Sequence, residues 1–266
     1  LSYDSTSPIA KVDQGQGYYQ RLKRVNVGQS SGRLLFGGSE VDEDQVQMRF
    51  QRLIAIYGRM CSLRSQYPFQ LNGRQGDFLE IKGHWDIPDL VTAEWDLDTN
   101  AEDSTRFDAA MLDLRRHLGG PETSLTGVQL KLGLNLENYA AEFFQALSAT
   151  RWTLQSELII AEPLNDEALV DALRSLGHQF GVGITSLGLN VAQLDDLPSS
   201  REIHAMSVDQ FEKVQEKLRP QRITMAAPRN RIDWQGLSSL RKKYDSVSDM
   251  IRWLSECLTR GQPEWK

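Results

Sequence analysis

The sequence predicts an α/β protein with a mixed central sheet, and three observations carry that expectation. Segments such as DLVTAEWDLD and TGVQLKLGLN alternate apolar and other residues with the period of half-buried strands. Between them lie stretches with apolar residues at the three- and four-residue spacing of a helix packed on a core. Farther along, ELIIAEP, DEALVDALRSLGHQFG and VGITSLGL read as strand, helix and strand. Their strands are apolar throughout, as in a parallel crossover covered on both faces.

Residues 1–40 are polar and rich in Gly, Ser and Gln, and read as a linker followed by a loose hairpin or extended arm around Val25 and Leu34 to Phe36. The arm's Arg21, Lys23, Arg24 and Arg33 fit phosphate contacts and a solvated surface equally. From Val41 the pattern turns helical, with Val46, Phe50, Leu53, Ile54, Tyr57 and Cys61 on one stripe after acidic residues suited to a helix start. YPFQLNGRQG reads as a turn, and DFLEIKGHW as a strand carried by Phe78, Leu79 and Ile81. Ile87-Pro88 then turns the chain into a second strand with Val91, Ala93, Trp95 and Leu97 on one face. An acidic loop and the helix FDAAMLDLRRHL close on Gly119-Gly120-Pro121. The third strand, TGVQLKLGLN, sets Val128, Leu130, Leu132 and Leu134 on one face, and the helix LENYAAEFFQALSATRW follows.

After about residue 195 the chain becomes polar and basic, with helices expected over DQFEKVQEKL, QGLSSLRKKY and VSDMIRWLSECL. The expected division is therefore an arm over 1–40, an α/β core over 41–195 and a basic, mostly helical C-terminal extension over 196–266.

The chain has 266 residues, enough to bury a sizeable core, and a formal net charge of -6, which disfavours indiscriminate coating of nucleic acid. Its two cysteines, Cys61 and Cys257, lie far apart without Cys or His neighbours at ligand spacing, which points to the cytoplasm and away from structural zinc. No apolar run reaches the ~20 residues of a membrane span. The chain opens on Leu1, so an upstream segment is expected. The glycines of FGVGITSLG follow a helix and feed a strand, the reverse of a phosphate loop, so Gly181 and Gly183 read as packing positions.

The candidate chemistry lies on the strands. Opposite the leucines of TGVQLKLGLN, Gln129, Lys131 and Gly133 share a face, because strand side chains alternate. Asp89 enters the neighbouring strand. Should the two strands pair, a carboxylate, an amide oxygen and an ammonium share one site, a set suited to metal-assisted phosphodiester hydrolysis. A Pro-Asp pair is also an ordinary strand-entry turn, and a Gln and Lys on a strand face are ordinarily solvated. Glu80-Ile81-Lys82 is a literal ExK on the preceding strand, for which the metal-binding Asp would have to come from Asp42 or Asp44 on a helix.

Pro88-Asp89, Gln129-Leu130-Lys131 and the helix carrying Gln145 in FFQALS together resemble the PD-(D/E)xK restriction-endonuclease-like superfamily. PDLVTAEWD, VQLKLGLNLENYAAEFFQALSATRW and APRNRIDWQGLSSL resemble more specifically the HrgA-like group of bacterial endonucleases, over about Arg59 to Trp253. The resemblance implies an αβββαβ core and Mg²⁺-dependent DNA cleavage, with Mn²⁺ as a substitute, in a restriction or phage-defence system. It implies Asp89 and Gln129 as metal ligands, Lys131 as the catalytic lysine and Gln145 as its helix-borne companion. Glu80, on the neighbouring strand, is placed to support that site. Gln129 stands where the superfamily usually has an acid, as in the QxK variant of Mrr-like members. The alternative is a catalytically impaired nuclease fold that binds DNA or protein within a defence complex. The expected partners are DNA, a second copy of the chain, an upstream recognition domain and other defence proteins. Arg222, Arg229, Arg231, Lys242 and Lys243 in the basic stretch fit phosphate contacts and a solvated helical face equally.

Overall fold

The computed structural model describes residues 9–11, 18–20, 43–71, 85–98 and 106–264. It divides into a unit over Leu1–Ser39 and a unit over Glu40–Lys266. In the first, strands β1 (Ile9–Lys11) and β2 (Tyr18–Gln20) pair antiparallel. The arm expected around Val25 to Phe36, and the DFLEIKGH strand with Glu80, lie outside the described residues.

In the second unit six strands among the described residues form one sheet in chain order: β3 (Tyr67–Gln70), β4 (Leu90–Glu94), β5 (Ser124–Lys131), β6 (Gln155–Ile160), β7 (Val182–Ser186) and β8 (Gln221–Thr224). The first three are antiparallel, β5 to β7 run parallel, and β8 closes the sheet antiparallel to β7. The α/β class with a mixed sheet is therefore as expected. YPFQ, however, is strand β3 rather than a turn: Tyr67 and Phe69 alternate with Pro68 and Gln70, and the first pair is buried against the core. Pro68 is tolerable because, among the described residues, β3 lies at the edge of this sheet.

Nine helices surround the sheet among the described residues: α1 (Glu43–Ser62), α2 (Ala109–His117), α3 (Tyr139–Ala149), α4 (Glu167–Phe180), α5 (Val191–Asp195), α6 (Ser200–Ala205), α7 (Val208–Gln215), α8 (Trp234–Lys243) and α9 (Asp245–Arg260). Local chemistry sets several starts. Asn190, Ser199 and Ser207 each form a capping box, and Asp166 accepts from the backbone N–H groups of Ala168 and Leu169 at the head of α4. Helix α4 ends on Gly181 in the left-handed conformation (φ 68°), and a Cβ on Gly183 would come 2.9 Å from the backbone nitrogen of Ala226. Both glycines serve packing.

Strand alternation divides the core. One sheet face presents Leu90, Val128, Leu130, Ile159 and Ala161 to α1 and to the short helices α5–α7. The other face carries two clusters. Leu158, Ile160, Val182 and Ile184 pack on Phe143 of α3 and Leu169 and Leu173 of α4. Phe69, Val91, Ala93 and Leu125 pack on Leu237 and Leu240 of α8 and Met250 and Trp253 of α9. The residues after 195 are mostly helical, as expected, and they are also part of the sheet and its core. They supply its edge strand β8 and the cover of β3–β5, which the polar composition of that stretch concealed.

Helix α1 is tied to α5 by Arg49, whose Nε and Nη2 donate to Asp195 at 2.7 and 2.6 Å. This hydrogen bonding from Arg49 holds the Asp195 carboxyl below its ordinary range. A carboxyl lowered in the folded state contributes stability above the unfolded value, and that contribution disappears as pH falls through the folded value. The stability gap between the native chain and Arg49→Ala is therefore expected to shrink between pH 7 and pH ~3, as read by urea unfolding. Solvent screening of the partly exposed Asp195 keeps the gap small. A gap that widens in acid would refute the link.

Candidate functional site

The register sets Leu90 opposite Val128, so Asp89, one residue before β4 begins, lies beside Gln129 of β5. The contact is direct: Nε2 of Gln129 donates to Oδ2 of Asp89 at 2.6 Å. The same oxygen accepts the backbone N–H of Leu130 at 2.8 Å. The chain bends at Asp89 into β4, and the Asp89 carboxylate satisfies a strand N–H at the end of the β4–β5 ladder. The strand-entry turn weighed from the sequence is therefore present, together with the contact with Gln129.

Asp89 and Gln129 are 5% and 4% exposed, which rules out a solvated strand face for this pair. Because Nε2 of Gln129 is committed to Asp89, Oε1 turns the other way, and there it is buried without a hydrogen-bond partner. A buried amide oxygen left in this state is costly unless something pairs with it.

Lys131, two residues on and on the same face, reaches helix α3. Its Nζ donates to Oε1 of Gln145 at 2.9 Å and forms an ion pair with Glu142. Gln145 and Glu142 sit three residues apart, one helical turn on one face of α3, and both are buried. The geometry therefore pairs Asp89 with Gln129 and, two residues on along the same strand face, Lys131 with Gln145 and with Glu142. Helical spacing in AEFFQ was the signal that would have found Glu142 beside Gln145.

A second acid missed from the sequence is Glu162, just past β6. Its backbone N–H bonds the carbonyl of Leu132 at 3.0 Å, and a Cβ on Gly133 would collide with its carboxylate. The absent side chain of Gly133 thus makes room for Glu162, whose burial raises its carboxyl above the ordinary range. Only strand register, invisible in the sequence, puts Glu162 next to Gly133.

The basic candidates disperse. Arg222 and Arg231 are exposed, as is Lys242. Arg229 is half-buried and donates to the carbonyls of Thr150 (2.9 Å) and Thr153 (3.0 Å), tying down the turn after α3. Lys243 pairs with Asp86 and lies over the Tyr244 ring. That hydrogen bond lowers the Asp86 carboxyl and raises the Lys243 ammonium. The last turn of α8 is thereby anchored three residues before Asp89.

The donor set is oxygen-rich. An unpartnered buried amide oxygen beside a carboxylate fits a hard divalent cation such as Mg²⁺ or Mn²⁺. Among the described residues no three His, Cys, Asp or Glu side chains gather to hold a metal, so a cation here would depend on the amide of Gln129 as well as on carboxylates. No helix among them is long and apolar enough to cross a membrane. No family model, no curated protein and no solved structure matches the chain.

Proposed function

We propose that the chain is a metal-dependent DNA endonuclease of a bacterial restriction or phage-defence system. The observation that carries this reading is the buried, unpartnered Oε1 of Gln129, on the amide whose Nε2 bonds the Asp89 carboxylate, two residues from Lys131. Asp89 and Gln129 are the residues that would hold Mg²⁺ or Mn²⁺. Such an ion polarises a phosphate and lowers the pKa of bound water. Lys131 offers its ammonium to the scissile phosphate, where it stabilises the charge that develops on the oxygens around phosphorus. Before a phosphate arrives, Gln145 and Glu142 engage that ammonium.

The test is cleavage of supercoiled plasmid with Mg²⁺ or Mn²⁺ by the native chain, Asp89→Ala and Lys131→Ala. Each substitution is expected to lower the rate by about 100-fold or more. Cleavage that survives both removes this site from consideration.

One feature favours a second reading, a nuclease fold that binds DNA or a partner protein without cutting. Oδ2 of Asp89 already accepts two hydrogen bonds, and the Lys131 ammonium is already engaged by Gln145 and Glu142. Salt-sensitive DNA binding by the native chain, with plasmid intact under both metals, would select that reading.

A further inference from the structure

We propose that Glu142 supplies the carboxylate that the Gln129 position lacks, and that it acts with Asp89 and Gln129 as the oxygen set for a divalent cation. This rests on the nuclease reading of the same site. The Glu142 carboxylate is buried on α3, and among the described residues Lys131 alone pairs with it. A buried carboxylate needs a counter-charge. With Lys131 turned to a phosphate, Glu142 would lose its cation, and a divalent ion held also by Gln129 would supply the missing counter-charge. A neutral amide and one carboxylate, whose Oδ2 already accepts two hydrogen bonds, make a weak ligand set for a hard ion. A second carboxylate mends that weakness.

Glu162 is the competing acid. It lies over Gly133, one strand position farther along the face than Lys131, and makes no ion pair with Lys131.

Mn²⁺ binding, followed by calorimetry and by the loss of the free-ion paramagnetic resonance signal, tests the assignment without relying on cleavage. Thermal melts check that each variant is folded. Glu142→Gln is expected to weaken Mn²⁺ binding by about tenfold or more. Lys131→Met, which frees the Glu142 carboxylate, is expected to bind Mn²⁺ at least as tightly as the native chain, and Glu162→Gln to bind it unchanged. The double variant Lys131→Met with Glu142→Gln removes both charges together, and its weak binding would tie the loss to the carboxylate rather than to a broken ion pair. Native-like affinity in Glu142→Gln overturns the proposal and leaves the nuclease reading standing. Equal losses in Glu142→Gln and Lys131→Met overturn it too, since Glu142 would then act only through Lys131. A loss confined to Glu162→Gln gives the role to that acid instead. A native chain that binds no Mn²⁺ up to millimolar concentration defeats both this proposal and the metal-dependent reading beneath it.

Discussion

Trp253→Ala is expected to destabilise the whole sheet unit, by about 3–5 kcal/mol, and not the C-terminal helix alone. Trp253 on α9 is fully buried, with its ring 5.2 Å from Phe69 of β3 and 5.9 Å from Trp95 just after β4. Its indole N–H donates to the carbonyl of Glu264 at 2.8 Å. Truncation removes one of the largest side chains of the cluster that joins α8 and α9 to β3, β4 and β5. It leaves a cavity that the surrounding rings fill only partly. For a unit of this size the melting temperature is expected to fall by on the order of 10 °C. Near-UV circular dichroism, which reports aromatic packing, and far-UV circular dichroism should give one coincident transition. Two separate transitions, with the sheet melting at its native temperature, would mean that the C-terminal helices form their own cooperative unit.

The second large effect concerns the ion pair at the centre of the candidate site. The side chains of Lys131 and Glu142 are 15% and 10% exposed, so neither charge is well solvated. Lys131→Met alone leaves the carboxylate buried without its partner and is expected to cost about 3 kcal/mol, the low end for breaking a buried pair. Adding Glu142→Gln removes the stranded charge and is expected to restore most of that stability, because buried pairs are often replaceable by neutral side chains at little cost. Urea unfolding of the two single variants and the double variant measures the coupling. Additive losses would mean that the two charges are solvated independently. With divalent metal present, the stranded carboxylate of Lys131→Met should regain part of its stability, as any ligand of the folded state stabilises it.

The legible parts of this molecule were those with a local cause. Period-two alternation marked β4 and β5, helical spacing marked α1, α3 and α4, and the continuous apolar runs marked β6 and β7 as buried parallel strands. The shared face of Gln129 and Lys131 was also legible, because strand alternation sets it whatever lies around them, and the pairing of β4 with β5 then brings Asp89 to Gln129. Strand β3 was misread because Tyr67-Pro68-Phe69-Gln70 is followed by turn residues, and a Pro argues against a strand unless its edge position is known. Strand β8 was missed because QRIT has two exposed residues and only Ile223 and Thr224 buried.

The sequence by itself determined the class of the fold, the order of its main elements and which polar residues share a strand face, since each follows from backbone periodicity. Tertiary structure alone decided that α8 and α9 cover the sheet, that Glu142 meets Lys131, that Glu162 lies over Gly133 and that Arg229 is occupied by carbonyls. Those contacts depend on strand register and helix packing between distant segments, and a charged residue's local pattern is the same whether it ends in solvent or beside a buried partner.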